Sequence, residues 1–369
     1  MGIHMDKRQK QQMQFEKSGE NLIVGNIDDC PISPEQLART TEASPYVVEA
    51  FQSGLTAEVF RVRFGGKDYT LKKKRPEAKV QNLNGQLSFL NEVQRRSDLQ
   101  KRKDSTHTSV DFECIVPTVY ADYRLGIILS EWIEGKPISD VSSSLLYQLF
   151  STLSACEKIG LFEWDLCSGN LLVDDDHKLW LFDFGYMYPF DPLTELNSDG
   201  LNAPIFQFCE RFETRFLSGW LVQQHYSHQE SLALFKNVKH EALSVLLEQC
   251  KWLRLNHASS AVLNHKEAQV TKYQTALQNE KALEDLFIVE MFRSHVLDIE
   301  DDIDGKSCTA TTLKRVNAVL EMVNEHYDFL REQGALFYQN EGKSKLELMD
   351  SYRDKLALVK EYQLSKNHQ

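Results

Sequence analysis

Proline is scarce in this chain, nine in 369 residues, and it is missing altogether from Phe206 onward. With nothing there to interrupt a backbone hydrogen-bond ladder, the C-terminal third is free to run as helices. Cysteine makes no pattern either. Cys30, Cys114, Cys156, Cys167, Cys209, Cys250 and Cys308 are scattered, odd in number and without a CxxC pair. That argues against structural zinc and against a disulfide framework, and a reducing, cytoplasmic compartment is the expectation. No run is long and apolar enough to cross a membrane, and no secretory signal is legible at the start. Gly2 to His4, ahead of Met5, read as a cloning scar. Positive charge is in deficit, with 42 Lys and Arg against 54 Asp and Glu and a net charge of −12. This balance argues against nucleic-acid binding and suits a cationic small-molecule partner. Hydrophobic residues, at 42%, suffice for a large core.

What is present concentrates between Glu163 and Gly185, a stretch reading EWDLCSGN, LLVDDDHKLWLF and DFG. Leu171 to Val173 and Leu179 to Phe182 are short apolar runs around the polar turn Asp174 to His177, the pattern of an antiparallel pair. Asp165 and Asn170 lie at its entry and Asp183 at its exit, where Gly185 frees the backbone to turn. Three oxygen-bearing side chains are thus expected at one end of a hairpin, and hard oxygen ligands suit Mg²⁺ better than zinc or copper.

These residues resemble the protein-kinase-like phosphotransferases, most closely the branch of aminoglycoside phosphotransferases and choline kinases. That branch carries H-G-D-x-x-x-x-N followed by D-F-G or D-F-D. The resemblance implies a bilobal α+β fold with a small β-rich N-lobe and a large, mainly helical C-lobe. It implies Asp165 as catalytic base, Asn170 and Asp183 as magnesium ligands, and ATP with Mg²⁺ as cofactors.

Upstream, Val47 to Phe51, Val59 to Phe64 and Tyr69 to Lys72 read as strands, the second by its alternation. They are separated by turns at Ser53-Gly54-Leu55-Thr56 and Gly65-Gly66. In the resembled fold the first turn covers the nucleotide phosphates, which nominates Ser53, Gly54 and Thr56. Lys72 takes the place of the lysine that pairs with the α- and β-phosphates, while Lys73 faces the other way. A helix follows with Leu87, Leu90 and Val93 on one face. Glu92, the one acidic residue between Leu83 and Arg96, is the partner expected for Lys72. Arg95 to Ser109 is polar and aperiodic and reads as a mobile connection. Ile115 to Thr118 and Leu125 to Leu129 read as two more strands. Ser130 to Gly135 then resembles the hinge, with adenine read by the backbones of Glu131 and Ile133.

Departures from the pattern also count. Glu163 stands where the superfamily has histidine, and either acts on Asp165 by its charge or holds the loop. Cys167 replaces the catalytic-loop lysine of protein Ser/Thr kinases, and no A-P-E follows DFG. The first reading is therefore a kinase transferring the γ-phosphoryl group to a hydroxyl of a small molecule. The alternatives are a protein kinase or other kinase-fold enzyme modifying a protein, effector- or toxin-like, and a nucleotide-binding pseudokinase.

The expected divisions are a polar, partly disordered N-terminal arm over 1–44, an N-lobe over 45–130, a hinge over 131–135 and a C-lobe over 136–369. In the last, Phe206, Phe208, Phe212, Phe216 and Trp220 give an aromatic helical stripe. Leu313 to Leu330 and Lys345 to Tyr362 read as amphipathic helices. Glu300 to Thr311 imitates the start of an EF-hand but lacks the closing glutamate, so it reads as an acidic loop between helices. His225 and His228 share a helix face without further ligands, and no zinc site is expected there.

Overall fold

Alternating side chains in the first half of the chain pave both faces of one sheet. The computed structural model describes residues 6–51, 54–80, 82–224 and 226–364. Ser53, His225 and Gly2 to Met5 lie outside the described residues. In chain order the elements are α1 (Lys7–Ser18), β1 (Ile23–Gly25), α2 (Pro34–Ala38), β2 (Val47–Phe51), β3 (Ala57–Phe64), β4 (Lys67–Lys74), α3 (Leu83–Lys103), β5 (Thr118–Asp122), β6 (Ile127–Glu131), β7 (Gly135–Pro137), α4 (Ser143–Lys158), β8 (Leu161–Glu163), β9 (Leu171–Asp174), β10 (Leu179–Leu181) and β11 (Met187–Pro189). They continue with α5 (Phe208–Phe212), a π-helical turn (Glu213–Leu217), α6 (Ser218–Gln223), α7 (His228–Leu255), α8 (Ser260–Gln278), α9 (Glu280–Gly305), α10 (Ala310–Glu332) and α11 (Lys345–Glu361).

The chain divides into two units. The first holds the described residues up to Lys136 together with Leu172–Met187; the second holds Pro137–Leu171 and Tyr188–Leu364. In the first, six strands form an antiparallel sheet in the order β1-β5-β6-β4-β3-β2. Gly65 and Gly66, both at positive φ, make the tight turn that sets β3 against β4. Phe60, Val62, Leu71, Tyr120, Ile127 and Leu129 pack on one face of the sheet, beneath Leu37 of α2. On the other face, Ala57, Ala121 and Ile128 meet Phe89, Leu90 and Val93 of α3. Neighbouring residues of β4 therefore face opposite sides. Lys72 turns towards α3, and Lys73 turns away to reach the carbonyl of Thr40.

The second unit is helical, as the missing prolines allow. Buried side chains of α9, α10 and α11, among them Phe292, Val296, Val316, Val323, Leu348 and Tyr352, form its largest apolar cluster. α7 and α11 begin at capping boxes, Ser227 with Glu230 and Ser344 with Glu347. A β-rich unit and a large helical unit are the division of a kinase-like fold. No described helix is long and apolar enough to cross a membrane.

Several local expectations are corrected. Residues 7–38, expected as a partly disordered arm, form α1, β1 and α2. α1 holds on through polar contacts to α3 that composition hides, such as Arg8 to Asn84 at 2.6 Å and Gln12 to Asn91 at 3.1 Å. Arg95 to Lys103, expected as mobile, is the continuation of α3. Arg95 and Arg96 point inward, with Arg96 2% exposed and bonded to Glu92 one turn back. β5 starts at Thr118 rather than Ile115, because Pro117 has no N–H to give a ladder. The aromatic stripe is not one regular helix but passes through the π turn.

The acidic loop over Glu300 to Thr311 is largely helix, since α9 runs to Gly305. Asp302 accepts a hydrogen bond from the Thr312 hydroxyl. Burial, with Asp298 beside it, pushes Asp302 up to about 7. An unfolded aspartate gives up its proton near pH 4 (about 3.9). The folded chain therefore keeps a proton that the unfolded chain has lost. This contribution to stability is complete below about pH 4 and disappears as pH rises to about 7. Asp302→Asn should remove it, so the wild-type Tm should fall more steeply than the variant's between those limits. Parallel Tm–pH curves would contradict the assignment.

Candidate active site

In the first unit the chemistry gathers on Lys72. The side chain is 7% exposed, and its Nζ lies 3.0 and 3.1 Å from the two Glu92 carboxylate oxygens and 2.8 Å from Asp183 Oδ2. β4 brings the lysine, α3 the glutamate, and the turn after β10 the aspartate. A second cation shares Glu92: Arg96 donates from Nε and Nη2 to Oε1 at 3.0 and 2.8 Å. Its Nη1 also reaches the hydroxyls of Thr118 and Ser130 at 3.1 and 2.9 Å. The reading of a mobile connection from Arg95 missed this arginine, and its i,i+4 spacing from Glu92 is the signal that points to it.

Asp183 has a φ of 68°, a left-handed conformation that a non-glycine residue rarely adopts. Such strain persists only where the surroundings over-determine it. Burial pushes its carboxyl up, but the Lys72 ammonium more than offsets this and holds it below the usual carboxylate range. The side chain remains 33% exposed and so accessible to a cation.

The residues nominated for nucleotide contact are placed as follows. Gly54 passes so close to the chain ahead that an added Cβ would meet the Ala57 carbonyl at 2.3 Å. Arg75 Nε donates to the Gly54 carbonyl at 3.1 Å and ties this turn to the end of β4. Thr56 lines a cavity of about 510 Å³ with Lys74, Arg75 and, from α3, Gly85 and Phe89. Glu131 ends β6, its N–H donating to the Pro117 carbonyl at 3.4 Å and its carboxylate paired with Lys67 at 3.0 Å. Ile133 follows as half-buried chain beyond the strand.

In the second unit the loop after β8 carries Asp165 and Asn170. Asn170 Nδ2 donates to the Asp165 carbonyl at 2.9 Å and to its Oδ2 at 3.3 Å. With Nδ2 so engaged, Oδ1 is the atom this amide can offer a cation. Glu163 is a loop holder, since its Oε1 accepts from the Asp165 backbone N–H at 2.8 Å. Cys167 Sγ lies 3.9 Å from Asp165 Oδ2. Trp164 packs edge-on to Phe162 and Phe206, and its carbonyl accepts from Arg211 at 3.0 Å.

The partner that sequence reasoning missed is Arg215. Its Nε donates to Asp165 Oδ1 at 2.9 Å and its Nη1 to Asp298. Asp298 in turn holds Arg315, whose Nε is 2.8 Å from Oδ2. Arg315 also donates to the Ser218 hydroxyl at 2.6 Å and the Thr214 carbonyl at 2.9 Å. Burial depresses Arg215, but Asp298 and Asp165 together hold it well above the usual guanidinium value. Arg215 and Glu213 belong to the same π turn yet serve different partners, Glu213 pairing with buried Lys239 and Arg293. A π turn is common at functional sites but has no compositional signal.

Arg215 and Asp165 keep 21% and 23% of their side-chain surface, so their pair is worth about 1–3 kcal/mol rather than the full value of a buried one. In a denaturation cycle with Arg215→Gln and Asp165→Asn, the two losses should be non-additive by about 1 kcal/mol or more. Additive losses would show that the contact contributes nothing.

Residues 55–198 match the family described as the ABC1 atypical kinase-like domain, a stretch that runs from the first turn past DFG and covers less than half of the chain. The chain matches no curated protein. The match does not single out the aminoglycoside phosphotransferase or choline kinase branch. What it supports, together with the β-rich and helical units, is a protein-kinase-like chain.

Proposed function

We propose that the chain is a Mg-ATP-dependent phosphotransferase acting on a hydroxyl of a small molecule, akin to the aminoglycoside phosphotransferase and choline kinase branch. The observation that carries this reading is the buried Lys72 ammonium shared by Glu92 and Asp183. Such an ion set is costly to bury and gains its use when it holds phosphate and metal. Each unit offers a hard oxygen donor of the kind magnesium takes, a carboxylate from Asp183 in the first and an amide oxygen from Asn170 in the second. Magnesium, when bound, would neutralise charge on the phosphates as the γ-phosphoryl group moves.

In this proposal the γ-phosphorus exchanges its bond to the bridging oxygen for one to the acceptor oxygen, and ADP leaves. Asp165 takes the hydroxyl proton. Arg215 donates to its Oδ1 at 2.9 Å, whereas Asn170 and Cys167 reach Oδ2 at only 3.3 and 3.9 Å, so Oδ2, the more weakly engaged oxygen, is the atom assigned to face the acceptor. The absence of A-P-E after Gly185 favours a small acceptor over a protein. The excess of acidic residues favours one that bears an amine. Seven cysteines with no disulfide among the described residues support a cytoplasmic setting.

The test uses γ-labelled ATP and Mg²⁺ with a cell extract split into small-molecule and protein fractions. Label should appear in the small-molecule fraction, and Asp165→Asn and Asp183→Asn should each lower it by on the order of a hundredfold or more. Label on protein would replace the small-molecule reading with a protein-modifying one. Nucleotide binding without any transfer would leave a pseudokinase.

A further inference from the structure

Asp183 is held in a strained conformation, and its ion pair with Lys72 accounts for the side chain alone. The backbone that follows is held by Asn91. Its Nδ2 donates to the carbonyls of Phe184 (3.1 Å), Gly185 (3.1 Å) and Met187 (2.8 Å). Two amide hydrogens thus serve three acceptors of one turn, with the Asn91 side chain wholly buried. Asn91 adjoins Glu92 on α3, so the same helical turn fixes both the lysine's partner and the chain after the aspartate.

An asparagine can do this only with its NH₂ towards the carbonyls, and something must accept that orientation on the other side. Gln12 of α1 does so, donating its Nε2 to Asn91 Oδ1 at 3.1 Å and to Gln94 Oε1 at 3.0 Å. Gln12 is itself 2% exposed and is oriented by Arg8, whose Nη1 donates to its Oε1 at 2.8 Å. Arg8 is anchored in turn on Asn84 at 2.6 Å. A chain of side-chain amides therefore runs from α1 through α3 to the DFG backbone. Of α1, KRQKQQMQFEKS, Phe15 packs against the apolar cluster beside Tyr123, a non-directional contact that holds the helix on without fixing its register. Directional polar bonds, satisfied at each step, fix geometry.

We infer that Asn91 is a positioning residue for Asp183 and that α1, acting through Gln12, sets Asn91 in place. The N-terminal helix then belongs to the metal-binding apparatus of the β-rich unit. This rests on the assignment of Asp183 as a magnesium ligand proposed above. Loss of Asn91 removes its donor from the Gly185 and Met187 carbonyls and leaves Phe184 only the Met187 N–H, and the turn relaxes away from the left-handed conformation at Asp183. Loss of Gln12 frees the Asn91 amide to rotate.

The experiment is calorimetric titration of the full chain with ATP, once with Mg²⁺ and once with EDTA, for wild type, Asn91→Ala and Gln12→Ala. Asn91→Ala should lose on the order of tenfold in affinity with Mg²⁺ and change little in EDTA; Gln12→Ala should do the same to a smaller extent. A merely structural role would lower both affinities together, and that result would overturn the inference. So would wild-type affinities in both folded variants. Should Asn91→Ala fail to fold, Gln12→Ala decides alone. A wild-type chain whose ATP affinity does not depend on Mg²⁺ would overturn the metal assignment itself, and the inference with it. That failure shows in the wild type, before any variant is compared.

Discussion

A buried ammonium group is the constraint on which the β-rich unit depends. Lys72 has left water, and a lysine in that position is stable only if its charge is met. Two carboxylates meet it, and Arg96 meets the surplus on Glu92. The charges of Lys72, Arg96, Glu92 and Asp183 cancel, so the cluster can be buried without net charge. Much else follows from that requirement. β4 must present Lys72 to α3 rather than to α2, α3 must keep Glu92 inward, and the turn after β10 must bring Asp183 back against the strand. The positive φ at Asp183 is a cost of that last demand.

The helical unit answers a similar demand with different residues. Asp165 would be a poorly fixed carboxylate on a loop were it not for Glu163, Asn170 and Arg215. Arg215 is itself held by Asp298, and Asp298 by Arg315 of α10. Gly219 makes room for that last guanidinium, since an added Cβ would lie 2.5 Å from it. The C-terminal helices, which look like plain packing, thus supply the charges that hold the loop aspartate.

Legibility in the sequence followed the range of the interaction. The strands of the sheet were visible because alternation is local, and the face of Lys72 could be read from its place in β4. The hairpin carrying DFG was visible for the same reason. α1 was not, since its contacts to α3 are amides meeting amides and leave no apolar stripe. The inward turn of Arg96 was available in its spacing from Glu92 but was masked by the surrounding run of polar letters. Arg215 was beyond reach, because its partners lie 50 and 83 residues away in the chain and it is aimed by a π turn. The EF-hand-like run was misread because helix and loop share the same acidic composition there, and only the bond from Thr312 shows Asp302 packed inward.

Lys72 serving phosphate is the central claim. Thermal unfolding with and without saturating Mg-ATP, for wild type and Lys72→Met, tests that most directly, because a ligand that binds the folded chain alone must raise its Tm. The account requires a clear rise in the wild type and its loss in a folded Lys72→Met chain. An equal rise in both would mean that the nucleotide is held without the lysine, and would contradict the account at its centre.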